Sequence, residues 1–313
     1  MMKRILYFLI TATVITTIVG CQYKDFDEDV VPGQSLPVTL HFDWQNVDSV
    51  PGAMRVIFYN GNTLARRIDV GNRDTTLNIS AGTYNIVTWN NDIPHVNTND
   101  EEHRNNANAS SLEYAGLNDP NIKTVLDTLF PGERIMDYPD YMVHTYKSTV
   151  DIDHRGQVIT LIPDSMVVTV DVNIGGVAGL DIVTNLKGAI SNVAGRRYMT
   201  YQNRTTDPAT VIFDTKIHPQ DSLITARFWV FGLEPEELKG TDHKAALFFW
   251  TKAGRCYVMF DISEDIWRLD ENSNKLSINK PNIDVNLHDM LKSTSGFNLD
   301  ISDWNNDFIG IDF

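Results

Sequence analysis

The densest metal-binding chemistry in the chain lies between residues 95 and 103. His95, Asp100, Glu101, Glu102 and His103 supply the imidazole and carboxylate groups that suit zinc. Their spacing fits no helix-borne ligand motif, and the Asn-rich surroundings read as a solvated loop, so no metal is assigned. Asp261, Glu264 and Asp265 offer oxygen ligands to calcium. Without EF-hand spacing they read as solvated carboxylates at a strand end. Cys256 lies in the apolar run 256–262 and reads as a small buried hydrophobe, with no histidine close in sequence to make it a nucleophile. The sequence holds no glycine-rich phosphate loop, no G-x-S-x-G elbow and no H-E-x-x-H pair. No catalytic residue and no cofactor is expected, and the chain reads as a non-enzyme.

The other cysteine carries a different chemistry. Lys3 and Arg4 precede an uncharged apolar run from Ile5 to Val19, and Gly20 is a small residue directly before Cys21. Residues 18–21 resemble a bacterial lipobox closing a signal peptide. The resemblance implies cleavage between Gly20 and Cys21, diacylglycerol on the Cys21 sulfur and an acyl chain (palmitate or similar) on its amine. Each buried CH₂ contributes about 0.8 kcal/mol, so several chains hold a protein where one does not. Asp25, Asp27, Glu28 and Asp29 follow at once and read as a solvated tether. They also resemble the export signal of Bacteroidetes surface lipoproteins, which implies a lipid-anchored position in the cell outer membrane, facing outward.

The 313 residues carry a net charge of −15, and loss of residues 1–20 takes Lys3 and Arg4 and leaves −17. Such an acidic chain lacks the basic footprint of a nucleic-acid binder. It is also repelled by anionic lipid, so the N-terminal lipid must hold it to the membrane. About 290 mature residues suggest two domains.

Period-two alternation dominates the rest. Val38, Leu40, Phe42 and Trp44 make one half-buried strand; Met54, Val56 and Phe58 make another. Residues 84–89, 141–152 and 158–162 continue the first unit, and Pro163-Asp164 punctuates its end. Val168, Val170, Val172 and Ile174 open the second unit, which Gly175-Gly176 interrupts. Further strands are expected at 186–193, 210–213, 224–231, 246–251 and 257–262. Ile283, Val285 and Leu287 alternate, as do Phe297, Leu299 and Ile301, with Ile309, Ile311 and Phe313 closing the chain. Short helices are expected at 122–130 and 288–292. The fold class is all-β, in two tandem antiparallel β-sandwiches. The boundaries are 1–20 for the signal peptide, 21–36 for the tether, 37–163 and 164–313 for the sandwiches. Residues 90–121 are polar and break the pattern, so they read as a variable loop projecting from the first sandwich.

Of the six tryptophans, Trp89, Trp229 and Trp250 sit in dense apolar runs and read as core, while Trp304 lies in polar surroundings. Four Asp-Ser/Thr-apolar triplets, at Ser49, Thr128, Ser165 and Ser222, resemble the Bacteroidetes O-glycosylation acceptor. The pair is also a common turn former.

The order of lipobox, acidic tether, strand 38–44, the Pro51-Gly52-Ala53-Met54 entry to Val56-Ile57-Phe58-Tyr59, and Ala81-Gly82-Thr83-Tyr84 before Asn85-Ile86-Val87 is specific. It resembles Bacteroidetes fimbrillin-like lipoproteins, including fimbrial-anchor proteins and a related domain family of unknown function. Phe228-Trp229-Val230-Phe231-Gly232, strand 257–262 and residues 296–313 with Trp304 agree with it. The resemblance implies transthyretin-like sandwiches and a fimbrium subunit that polymerises by strand exchange, main-chain hydrogen bonds supplying the affinity. A retained lipid implies an anchor. Arg66-Arg67 offers the basic site that some members cut, although the pattern there favours a hairpin with outward-facing charges. The leading expectation is a surface lipoprotein that anchors or builds a fimbria-like assembly and contributes to cell adhesion, with fimbrial subunits as partners. The alternative is a monomeric module that binds a glycan or a host or bacterial protein through loop 90–121. A hydrolase hidden in the β scaffold is the least supported reading.

Overall fold

A computed structural model describes residues 33–118, 120–200, 205–233, 241–267 and 274–293. The leader, Cys21, most of the acidic tether, Trp304 and the alternating segment 297–313 lie outside the described residues.

The first half opens with β1 (Ser35–Phe42), β2 (Ala53–Asn60), β3 (Thr63–Gly71), β4 (Thr75–Ser80) and β5 (Gly82–Asn90). It closes with β9 (Val143–Ile152), β10 (Gln157–Leu161) and β11 (Asp164–Ser165). Two sheets form, ordered β10-β1-β4 and β11-β9-β5-β2-β3. Alternation in β1 sets Leu36, Val38, Leu40 and Phe42 on one buried face, against Met54, Val56, Phe58, Tyr84 and Ile86 of the facing sheet. A slip of one residue would turn all four β1 side chains outward, so the register is fixed by burial.

The second half contains β12 (Val168–Ile174), β13 (Val177–Ala178), β14 (Val183–Tyr198), β15 (Thr205–Asp214), β16 (Lys216–His218) and β17 (Leu223–Val230). Then come β18 (Lys244–Thr251), β19 (Arg255–Asp261), α2 (Ser263–Trp267), β20 (Lys275–Lys280), β21 (Val285–Asn286) and α3 (Leu287–Ser293). Sheet β16-β17-β12-β20 packs on sheet β19-β18-β14-β15. Val168, Val170, Val172 and Ile174 meet Leu186, Ile190, Val211, Phe213, Leu247, Phe249, Val258 and Phe260.

The all-β sandwich architecture is as expected, but the pairing is not purely antiparallel. β1 pairs in parallel with β10 and antiparallel with β4; β12 pairs in parallel with β20 and antiparallel with β17. Each half thus repeats one plan, with its first strand beside its late-returning strand. Parallel neighbours need a long crossover, which the chain between them supplies. The alternation at Ile283, Val285 and Leu287 yields only the two-residue β21. Asn286 ends it by accepting from the backbone N–H of His288 at 3.0 Å and of Asp289 at 3.4 Å, which caps α3.

Residues 90–121 are not a projecting loop. They hold β6 (Val96–Asn99) and β7 (Asn108–Ser111), and then lead into α1 (Pro120–Leu129) and β8 (Arg134–Asp137). β7 pairs antiparallel with the end of β14, and β8 pairs in parallel with β15. Leu126, Phe130 and Ile135 cover Ala189, Ile212, Phe248 and Tyr257 on the outer face of the second large sheet. All four residues of β7 are buried although their sequence is Asn-Ala-Ser-Ser. Asn108 and Ser110 are satisfied internally: Asn99 Nδ2 donates to Asn108 Oδ1 and Ser110 Oγ, each at 3.2 Å, and Asn108 Nδ2 donates to the Asn106 carbonyl at 2.7 Å, while the buried Ser111 Oγ has no partner among the described residues. Satisfied polar side chains bury without an apolar signature, which is why the pattern read as loop.

A third core joins the halves. Ile57, Tyr59, Val87 and Trp89, on the outer face of β2 and β5, pack with Met166, Val167, Ala194, Met199 and Phe231. The first large sheet is covered on both faces, which explains its unbroken buried runs at 56–59 and 86–89.

Candidate interaction surfaces

Of the five groups between residues 95 and 103, His95, Glu101 and Glu102 are drawn apart by other partners. His95 binds Asp140, with its backbone N–H 2.7 Å and its Nδ1 2.9 Å from the carboxylate oxygens, and that contact raises its pKa. Glu101 is pulled onto β2 and β3: Arg67 Nε lies 2.8 Å and Arg55 Nη1 3.4 Å from its oxygens, and Thr98 Oγ1 donates at 2.7 Å. Tyr59 donates its hydroxyl to the Glu101 carbonyl at 2.8 Å, and burial raises the phenol pKa. Glu102 pairs with Arg67 at 3.0 Å. This charge network seals the 95–108 segment to the first sandwich. Among the described residues no three His, Cys, Asp or Glu groups gather as a metal-binding set.

Asp261 accepts from the Ser263 N–H at 2.7 Å as the start of α2, and Asp265 pairs with Lys280 at 2.8 Å. Cys256 is buried in the second core and is in no disulfide among the described residues. Arg66 and Arg67 lie on β3 of the β2–β3 hairpin; Arg66 donates to the Asn78 carbonyl while Arg67 holds Glu101 and Glu102. Of the four glycosylation candidates, Ser49 is exposed in the loop after β1. Thr128 is on α1 and donates to the Thr124 carbonyl at 2.7 Å, and Ser165 donates to the Val167 carbonyl at 2.7 Å. Ser222 adopts a left-handed backbone conformation with φ 52°. Trp89 is buried, whereas Trp229 and Trp250 are half-buried.

Sequence reasoning missed the junction between the halves. The loop after β1 is pinned by Asp43 N–H on the Leu161 carbonyl at 2.8 Å and by Trp44 Nε1 on the Asn72 carbonyl at 3.1 Å. It then bridges from Asn46 to Asp164, and Asp48 N–H donates to the Tyr141 hydroxyl at 3.1 Å. The Tyr141 ring lies 5.9 Å from that of Trp229. Lys275, opening β20, reaches Asp48 at 3.2 Å. An open cleft of about 340 Å³ results. Behind it, burial pulls the Arg197 guanidinium down to about 10, still charged at neutral pH, and its Nη1 donates to the Met166 carbonyl at 2.5 Å.

Asn90 sets the Tyr141 segment. It is buried and its Nδ2 donates to the Tyr141 carbonyl at 3.1 Å and to Asp92 Oδ1 at 3.0 Å, while its Oδ1 accepts from Val143 N–H at 2.9 Å. Asn90→Ala leaves two buried backbone groups without these partners. We expect a loss of about 2–4 kcal/mol in urea unfolding with an unchanged m-value. An unchanged midpoint would show that water replaces the amide at no cost.

A second polar group lies beside α1. Asp214 accepts from Lys187 and, at 3.3 Å, from the Tyr138 hydroxyl. Burial opposes the Lys187 charge, but Asp214 outweighs it and raises the pKa. Burial also raises Asp137 and Tyr114. The adjoining cavity under α1 is only about 30 Å³, room for roughly one water. β19 stands last in the second large sheet, where among the described residues its strand partner is β18.

A family model, Domain of unknown function (DUF5119), matches residues 20–214. The chain belongs to the DUF5119 family. The matched DUF5119 region runs through β15, so it includes strands of both sandwiches. No curated protein matches the sequence. Among solved structures, this DUF5119 protein is similar to a candidate adhesin from Bacteroides ovatus ATCC 8483, with 19% identity and a TM-score of 0.58 over 84% of this chain and 98% of that one. A candidate polysaccharide-binding protein (DUF1812) from Bacteroides thetaiotaomicron gives 11% identity and 0.51, over 77% and 89%. The fimbrial anchor protein Mfa2 from Porphyromonas gingivalis gives 15% and 0.49, over 78% and 89%. At such identities the likeness is one of fold.

Proposed function

We propose that this chain is a non-enzymatic surface lipoprotein that anchors or builds a fimbria-like assembly and contributes to adhesion. The carrying observation is the shared tandem-sandwich fold, which spans 98% of a candidate adhesin. The lipobox at Cys21 supports an outer-membrane, outward-facing anchor, and the acidic stretch behind it supports a tether. Two tandem units, with a boundary near residues 163–164, support a subunit able to span and to join.

Assembly would proceed by strand addition. Residues 297–313 carry strand-like alternation, which suits them to add to a sheet edge. The test uses a chain ending at Ser293 and a synthetic peptide of residues 297–313. Peptide added in trans should raise the melting temperature of the truncated chain and co-elute with it. A folded truncated chain that ignores the peptide would count against exchange through this segment. The alternative that used residues 90–121 as a binding loop finds little support, because β7 is buried in the second large sheet.

A further inference from the structure

We propose that the cleft at the junction of the two sandwiches binds a neutral saccharide; the inference rests on the adhesive reading above and gives it a ligand class. Six side chains converge there from separate segments: Asn46 and Asp48 after β1, Tyr141 before β9, Asp164 on β11, and Asn274 and Lys275 at the start of β20. The volume of about 340 Å³ lies at the lower end for ligand sites, enough for roughly one or two sugar rings.

The functional groups match hydroxyls rather than a charged or apolar ligand. A hydroxyl both donates and accepts, so it needs acceptors and donors side by side. Carboxylates of Asp48 and Asp164 accept; the carboxamides do both; the ammonium of Lys275 donates. Asp164 commits one oxygen to the Ser165 N–H at 2.8 Å. The Tyr141 hydroxyl oxygen accepts from Asp48 N–H, which leaves its proton free to donate outward. The carboxamides of Asn46 and Asn274 have no hydrogen-bond partner among the described residues, and both residues are exposed. Lys275 and Asp48 neutralise each other, so the cleft holds no excess positive charge to attract a phosphate or sulfate. Among the described residues the lining is polar apart from Tyr141, which suits a hydroxyl-rich ligand better than a hydrophobic peptide side chain. The half-buried Tyr141 ring, backed by Trp229, supplies a flat apolar surface for the C–H face of a pyranose.

The cleft is also built before any ligand arrives. Its loop is pinned through Asp43, Trp44 and the Asn46–Asp164 bridge, and Tyr141 is held through Asn90. Preorganised polar groups lose little freedom on binding. The cleft is open, so each sugar hydroxyl displaces water already bound there, and affinity for one or two rings should be weak, with multivalent display supplying avidity.

The test uses the full chain in a sugar-free detergent. Lactose, mannotriose, cellotriose and chitotriose are titrated to millimolar levels and read by saturation-transfer NMR, with a sulfated lactose as comparator. At least one neutral sugar should bind saturably, and the sulfated probe should bind more weakly. Asp164→Asn and Asn274→Ala should each weaken that sugar at least tenfold, while Lys123→Ala, on the exposed side of α1, leaves it unchanged. Should either variant misfold, a diazirine-bearing form of the same sugar maps the site on the unaltered protein. Cross-links should fall within residues 46–48, 141, 164–165 and 274–275. No saturable binding of any neutral sugar, binding indifferent to the cleft variants, or cross-links elsewhere would overturn the proposal. Such a failure would leave Cys21 acylation and strand exchange untouched, since those are read by other measurements.

Discussion

Cys21→Ala releases the protein from carbonate-washed membranes into the soluble fraction and abolishes labelling by an alkynyl fatty acid. On the lipobox reading the acyl chains are the anchor, so the expected loss is nearly complete. No described helix is long and apolar enough to cross a membrane. The net charge after cleavage is −17, which repels anionic headgroups. Even one myristoyl chain gives an association constant of only ~10⁴ M⁻¹, so the proposed anchoring depends on the several chains that Cys21 would carry. Cys256 is no alternative acceptor, since it is buried at 2% exposure. Inhibition of lipoprotein signal peptidase should leave residues 1–20 attached to the wild-type chain. Persistent label and membrane retention in Cys21→Ala would mean that the lipobox resemblance is coincidental.

Residues 164–313 expressed alone do not fold. This follows from the destination of the 90–137 segment, not from the boundary itself. The fragment lacks β7 and β8, which complete its large sheet, and α1, which covers its outer face. It loses the side chains of Leu126, Phe130, Ile135 and Met136 from the second half's cores. Burial of each contributes about 1.5–3 kcal/mol, so the four together supply roughly 6–12 kcal/mol. Domain stability is only about 5–15 kcal/mol. The bared edge of β15 and outer face at Ala189, Ile212 and Phe248 also invite aggregation. Circular dichroism and amide NMR dispersion read the outcome. A fragment that melts cooperatively near the full-chain temperature would show that residues 164–313 are self-sufficient and that the early segment is an accessory. The family match ending at residue 214, inside the second sandwich, is consistent with two halves that do not separate cleanly.

The legible and illegible parts of the candidate site divide in the same way. Trp89 was read as core from its apolar neighbours, and it is core. Cys256 was read as a buried hydrophobe for the same reason, and it sits among Val258 and Phe260. His95 and Glu101 are six positions apart in sequence but are held by different partners. Asp140 claims the first and Arg55 with Arg67 the second, and neither partner is visible from local spacing. Asn46, Tyr141 and Asn274 carried no signal at all. Each is an ordinary polar or aromatic residue at a strand end, and only convergence makes them a cleft. A signal was available for β7: a strand of small polar residues flanked by mutual hydrogen-bond donors, which hydropathy alone cannot detect.

By itself the sequence determined the local properties of this protein. Period-two runs such as Val168 to Ile174 specify strands because successive side chains point to opposite faces. The helices α1 and α3 were legible within a few residues, and the leader pattern before Cys21 is wholly local. Only the tertiary structure decided that β1 runs parallel to β10, that β7 and β8 from the first half complete a sheet of the second, and that the junction forms a polar cleft. Those outcomes depend on backbone hydrogen bonds and contacts between residues tens to hundreds of positions apart. The backbone groups that make them are the same in every residue type, so the linear pattern does not record their partners.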